Sequence, residues 1–131
     1  MTVLPDTSIW VTYLRDGPRG QSAILDGLLA SRDVVVCGPV VAEILAGARS
    51  DQRAELGALL NSLPWAELGR QEWLEVGELA ARLRHQGATV PLTDLEIAVA
   101  ASAGQTQLWT WDTDFDLVMP LLPDLRYFQP T

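Results

Sequence analysis

The sequence predicts an α/β fold, a three-layer α/β/α sandwich whose central parallel sheet is covered on both faces by helices. Three observations lead there. Val34-Val35-Val36-Cys37 is a continuous, β-branched run between Asp33 and Gly38, the pattern of a strand buried on both faces. Two more strand-like runs, Val3-Leu4 and Leu108-Trp109-Thr110-Trp111, stand far from it and from each other. Between the runs lie segments of helical periodicity, so strands alternate with helices as in βαβ units, which require parallel pairing.

Val3-Leu4, closed by Pro5, is the first strand, and Asp6-Thr7-Ser8 supplies capping side chains for a helix over residues 9–14. Asp16-Gly17-Pro18 and Gly20 break that helix. Ile24, Leu25, Leu28 and Leu29 share the inner face of a second helix. After the Val34 strand, Pro39 opens a third helix that carries Val40, Val41, Ile44 and Leu45 and weakens at Gly47. A fourth helix covers residues 51–63 and stops before Pro64. A fifth covers residues 71–84, with Trp73, Val76, Leu79, Ala80 and Leu83 facing inward. Gln86-Gly87-Ala88 is a turn and Val90-Pro91-Leu92 is extended. Thr93 or Asp94 then caps a sixth helix through Ile97, Ala98, Ala101 and Ala103, ended by Gly104. The Leu108 strand leads into a loop over residues 112–116, a short apolar turn, and an extended piece at Arg126-Tyr127-Phe128.

A length of 131 residues fits a single domain over residues 1–131. Apolar residues make up 48% and charged residues 20%, a globular balance that argues against disorder. No apolar run approaches the ~20 residues of a membrane span, and Met1 to Pro5 lacks the basic start of a signal peptide. A soluble, unprocessed chain without membrane association is expected. Cys37 is the only cysteine, so a reducing compartment, most simply the cytoplasm, is expected. Nine basic residues, all arginine, stand against 17 acidic ones, for a formal net charge of −8. That balance repels nucleic acid at long range and excludes a basic, phosphate-clamping protein. It does not exclude an enzyme whose acidic cluster holds cations. The absence of lysine excludes P-loop and Schiff-base chemistry.

Ligands of open parallel sheets bind outside the carboxyl ends of the strands, and carboxylates fall there. Asp6 follows the first strand across Pro5, and Glu43 lies one turn into the helix after the Val34 strand. Asp94 opens the sixth helix, Asp112 follows the Leu108 strand, and Asp114 lies two residues on. Plainer roles exist for each. Asp6 and Asp94 suit N-caps, Glu43 a solvated helix position, and Asp112, Asp114 and Asp116 turn positions, with Asp116 above all a turn residue or a helix cap. The apolar neighbours of Glu43, however, crowd it toward the buried side, where an unpaired charge is costly. Taken together, converging carboxylates with no lysine nearby repel one another unless some stay protonated or a cation joins them. Oxygen-only ligands favour Mg²⁺ or Mn²⁺ over Zn²⁺, and such an ion acidifies bound water and clamps a phosphoryl displacement. Thr7, Ser8 and Thr110 offer hydroxyls that orient a carboxylate or, equally well, serve as caps and core hydrogen bonds.

Four stretches carry a resemblance to PIN-domain ribonucleases, and specifically to VapC-type toxins of type II toxin–antitoxin systems. Val3-Leu4-Pro5-Asp6-Thr7-Ser8-Ile9-Trp10 resembles the family's opening strand with its acid and Ser/Thr. Val40 through Arg49, with Glu43, resembles the second acidic motif; Val90 through Ala98, with Asp94, resembles the third. Leu108 through Phe115 resembles the last, a Thr-x-Asp-x-Asp-Phe pattern. The likeness runs nearly end to end with order and spacing intact. It implies a flattened PIN-like sandwich, an endoribonuclease that cleaves RNA with Mg²⁺ or Mn²⁺, a cognate VapB-type antitoxin, and a toxin homodimer. Carried over residue by residue, it implies that Asp6, Glu43, Asp94, Asp112 and Asp114 are the catalytic and metal-holding residues. Asp6 and Asp94 are then the main ligands, Glu43 completes the site and positions the attacking water, and Asp112 and Asp114 share the remaining duty. Glu96, about 200° around the helix from Asp94, belongs to the surface or to a supporting role.

A carboxylate pocket on a protein of this charge is a natural target for an antitoxin arginine. Trp10, Tyr13, Leu14, Leu28 and Leu29, each read first as core when taken singly, together offer a groove for an antitoxin helix. Other site chemistries fit worse. An EF-hand loop starting at Asp112 has Leu117 where glycine is needed and Pro123 where glutamate is needed. A HAD-type phosphatase needs Asp-x-Asp where this chain has Asp6-Thr7-Ser8. The rival from another class is a PIN fold that only binds partners, against which the full set of acids argues.

Overall fold

The computed structural model describes residues 1–131. Strand β1 (Val3–Pro5) pairs in parallel with β2 (Gln107–Trp109), Leu4 lying opposite Leu108. From this pair the sheet widens by parallel bridges: Val34 beside Val3, Trp65 beside Val36, and Tyr127 beside Leu108. The Val35 amide donates to the Val3 carbonyl, the Ala66 amide to that of Val36, and the Phe128 amide to that of Leu108, each at 2.8 Å. Numbered along the chain, the five extended segments therefore stand in the order 3-2-1-4-5. The order reverses between β1 and β2, which makes that gap a topological switch point where flanking loops diverge and leave a crevice.

Helices α1 (Thr7–Asp16) and α2 (Ser22–Ala30) connect β1 to residues 34–36, and α3 (Gly38–Gly47) and α4 (Arg53–Ser62) lead on to residues 64–66. Helices α5 (Arg70–His85) and α6 (Leu92–Ala103) return the chain to β2; α7 (Phe115–Val118) and a 3₁₀ turn, Met119–Leu121, precede residues 126–128. Helix α1 packs on α2 and α3, and α3 on α4, while α5, α6 and α7 pack on one another. These are the two outer layers of the expected α/β/α sandwich. Val34, Val36 and Cys37 are fully enclosed between them, as a strand buried on both faces must be. No helix is long and apolar enough to cross a membrane.

Several expectations need correction. Helix α6 begins at Leu92, not at Thr93 or Asp94, because the Pro91 carbonyl accepts the Asp94 and Leu95 amides and closes the first turn itself. Asp94 is consequently inside the helix with its carboxylate unspent on a cap. Strand β2 ends at Trp109, and Thr110 and Trp111 leave the sheet. Residues 64–66, read only as a helix stop, form an edge of the sheet. Trp73 is 52% exposed: the buried stripe of α5 is Val76, Leu79 and Leu83, and Trp73 lies about 90° from its centre. Trp10 is fully buried and cannot line an open groove, and Tyr13, Leu28 and Leu29 pack against the core. Only Leu14 of that set is largely exposed.

Candidate active site

At the switch point the Asp6 amide donates to the Trp109 carbonyl at 2.9 Å, which pins the start of α1 to the end of β2. The Asp6 side chain is 6% exposed. Its Oδ1 accepts from the Ser8 hydroxyl at 2.7 Å and from the Ile9 amide at 3.3 Å, while its Oδ2 accepts from the Thr110 hydroxyl. Asp6 is therefore both the N-cap of α1 and a site carboxylate. The Thr110 oxygen in turn accepts the Asp112 amide at 2.9 Å, and Asp112 Oδ1 accepts the Asp114 amide at 2.9 Å. This run of bonds orients the Asp112 and Asp114 loop against Asp6. On the other side, the Thr7 hydroxyl donates to Glu43 Oε1 at 2.7 Å and ties α3 to α1. All three hydroxyls named from the sequence thus hold a carboxylate.

Asp6, Glu43, Asp94 and Asp112 line one open cleft of about 380 Å³, with Thr7 and Ser8 between them. Carboxylate oxygens of Asp94, Asp112 and Asp114 lie within 4.8 Å of one another. The structure thus gathers all five acids, with the tightest triangle at Asp94, Asp112 and Asp114 rather than around Asp6. Glu43 is exposed on the rim, not crowded inward: Val40, Val41 and Ile44 form the buried stripe of α3 and Glu43 points away from it. Asp116 is neither a turn residue nor a helix cap. It lies in the first turn of α7 and accepts from the Tyr127 hydroxyl at 2.7 Å. Trp111 and Ile97 also line the cleft. The sequence offered no sign of either, since both read as ordinary apolar positions of a strand and a helix.

The electrostatics follow from the crowding. Partial burial pushes the Asp94 carboxyl up to about 6, and the charges of Asp112, Asp114, Asp6 and Glu43 push the same way. Glu96 is raised as well, by burial and then by Glu43. No basic side chain answers these charges: the ion pairs of the chain, Arg15 with Asp16 and Arg49 with Asp51, are exposed and elsewhere. An all-oxygen donor set that repels itself and has no protein cation suits a hard divalent ion such as Mg²⁺ or Mn²⁺. The residues fit the metal that the sequence motifs imply.

The family model described as PIN domain matches residues 3–119. No curated protein matches the sequence. Among solved structures, a chain of VapBC-1 from nontypeable Haemophilus influenzae superposes with a TM-score of 0.76 at 22% identity, covering 98% of each chain. A chain of DNA-bound VapBC from Salmonella typhimurium gives 0.75 at 18% identity, covering 98% of this chain and 97% of that one. A chain of FitAcB from Neisseria gonorrhoeae gives 0.73 at 21% identity, with 98% of each covered. At these identities the likeness is one of fold.

Proposed function

The chain belongs to the PIN-domain family, and from that premise we propose that it is a metal-dependent endoribonuclease acting as the VapC-type toxin of a toxin–antitoxin pair. The observation that supports this reading best is the triangle of Asp94, Asp112 and Asp114 oxygens, drawn within 4.8 Å with no cationic side chain to answer them. Asp94, Asp112 and Asp114 would hold Mg²⁺ or Mn²⁺, with Asp6 and Glu43 completing the set. When bound, a divalent ion lowers the pKa of water and screens the charge of a phosphodiester. The protein's own residues do the rest. Thr110 and Ser8 fix the Asp6 carboxylate, and Thr7 turns Glu43 toward the cleft, where its free oxygen can accept a proton from the attacking water.

Because the acids carry their charge uncompensated, an RNA phosphate enters only with cations present, which makes cleavage dependent on them. The same acids offer bidentate sites to arginine, so the proposed VapB-type antitoxin inhibits by placing an arginine among Asp6, Asp94 and Asp112. A homodimer and a cytoplasmic location complete the proposal. The test is incubation of purified protein with tRNA and ribosomal RNA in Mg²⁺, in Mn²⁺ and in chelator, beside Asp6→Asn and Asp94→Asn. Cleavage that needs the ion and vanishes in both variants is expected. Equal cleavage in chelator, with contaminating nuclease excluded by the variants, overturns the metal mechanism.

A further inference from the structure

A second cavity, of about 240 Å³, opens beside the carboxylate cleft, and Trp111 and Asp112 line both. Nothing in the cleavage chemistry uses it. Its aromatic wall is built rather than accidental. Trp109 and Phe128 pack with ring centroids 5.1 Å apart at 58°. The Trp111 indole, 49% exposed, is held at its N–H end by the Gln21 side-chain oxygen at 2.9 Å. Tyr127 is clamped through its hydroxyl to Asp116 Oδ1, and burial together with that bond raises its pKa well above the usual phenol range. Asp116 Oδ2 accepts from no protein group, although the residue lines the cavity.

We propose that this cavity is a nucleobase subsite, taking the base of the nucleotide next to the scissile phosphate, with Trp111 as its stacking platform and Asp116 as its hydrogen-bond acceptor. The proposal rests on the ribonuclease reading above. Size supports it, since the volume falls below the roughly 300–1,000 Å³ of sites for drug-sized ligands and suits one planar ring system. Charge supports it too. Asp112 and Asp116 with no arginine among the lining residues exclude a phosphate. The part of an RNA that enters must therefore be uncharged, flat and able to donate hydrogen bonds. An unpaired base stacked on an aromatic ring meets all three conditions. A carboxylate only accepts, so it favours a base with N–H donors on its edge. Guanine, with two adjacent donors on its Watson–Crick edge, matches Asp116 best. The shared residues Trp111 and Asp112 make the cavity and the cleft neighbours, so one nucleotide can present its phosphate to one and its base to the other.

The test has two arms. In chelator, where no cleavage occurs, guanosine serves as the probe because it carries no phosphate to be repelled. It is expected to bind the wild-type protein and Asp6→Asn, read by isothermal titration calorimetry, but not Trp111→Ala. Uridine is expected to bind more weakly. Binding that survives in Trp111→Ala, or the absence of guanosine binding to the wild-type protein, overturns the subsite. In the second arm, with Mn²⁺ and RNA, Trp111→Ala is expected to raise KM on the order of tenfold while kcat changes far less, and Trp111→Phe is expected to recover most of the loss. Asp116→Asn is expected to weaken the preference for guanine at cleavage sites. Unchanged KM and cleavage pattern in Trp111→Ala, while Asp6→Asn is dead, overturn the subsite and leave the nuclease standing. A wild-type protein that cleaves no RNA overturns the nuclease, and guanosine binding then decides the cavity on its own. Circular dichroism of each variant establishes that it is folded.

Discussion

Asp6 accepts hydrogen bonds from Ser8, Ile9 and Thr110, and these partners decide what a substitution there does. Asparagine caps a helix as well as aspartate does, but its amide nitrogen cannot accept from the Thr110 hydroxyl. Asp6→Asn is therefore expected to stay folded at the cost of one hydrogen bond, about 1 kcal/mol, while losing cleavage by a hundredfold or more, on the order of what disturbed metal sites lose. Asp6→Ala is expected to lose about 1 kcal/mol of stability in addition, seen as a lower denaturant midpoint, because the Ile9 amide then has no cap. Asp94 behaves differently. Its folded pKa, about 6, lies above the unfolded value near 3.8, so the folded state holds the proton more tightly. Below the unfolded value both states are protonated and nothing is lost. As pH rises through the window between the two values, the folded state is progressively penalised, and the penalty stays in place above it. Without divalent ions, the protein is therefore expected to lose stability between about pH 4 and 6 through this group, and Asp94→Asn to show a flatter profile over that window. Urea melts across pH in chelator measure both.

Helix α6 carries Asp94 and buries most of its length, and its end is held by close packing rather than by conformational freedom. A Cβ at Gly104 would meet the Ala100 carbonyl oxygen at 2.9 Å and the Ala66 side chain at 3.2 Å. Gly104→Ala is therefore expected to destabilise by about 1–3 kcal/mol, the usual cost of overpacking, measured by chemical denaturation. Ala66 belongs to the edge segment that the sequence did not reveal. Trp65 bridges Val36 through its backbone while its side chain stays 39% exposed, so no hydrophobic alternation marks the segment as a strand. The Val34 run was legible for the opposite reason, since burial on both faces demands an unbroken apolar stretch. The convergence of the acids was legible because they stand at or near the carboxyl ends of strands that parallel pairing brings together. Where Asp94 sits in its helix was not, because Pro91 closes the first turn through its own carbonyl, a bond that leaves no trace in residue type. Glu43 was misplaced inward for a related reason: apolar neighbours in sequence say nothing of which helical face they share, and here they turn away from it.

At the scale of the whole molecule, the site adds local repulsion to a chain of net charge −8. On the proposed metal reading, divalent ions are expected to raise the melting temperature by several degrees at neutral pH, by binding the folded cleft and not the dispersed carboxylates of the unfolded chain. Asp94→Asn is expected to melt higher than wild type in chelator and to gain little from Mn²⁺. Monovalent salt at matched ionic strength separates specific binding from screening. The central pair of strands has another outcome. Residues 3–5 meet residues 33–35 on one side but find their second neighbour only at residues 107–109, and Thr110 reaches Asp6 across 104 positions of chain. Synthesis on a ribosome delivers the first strand early and this second neighbour late, with α1 through α6 emerging between them. Until that neighbour appears, Asp6 lacks the Thr110 bond, and Asp112 and Asp114 have not been made. On the proposed ribonuclease reading, a growing chain is therefore expected to spare the RNA of the machine that makes it until residue 114 has emerged and folded into place. A chain that stops before residue 110 is expected to be inert.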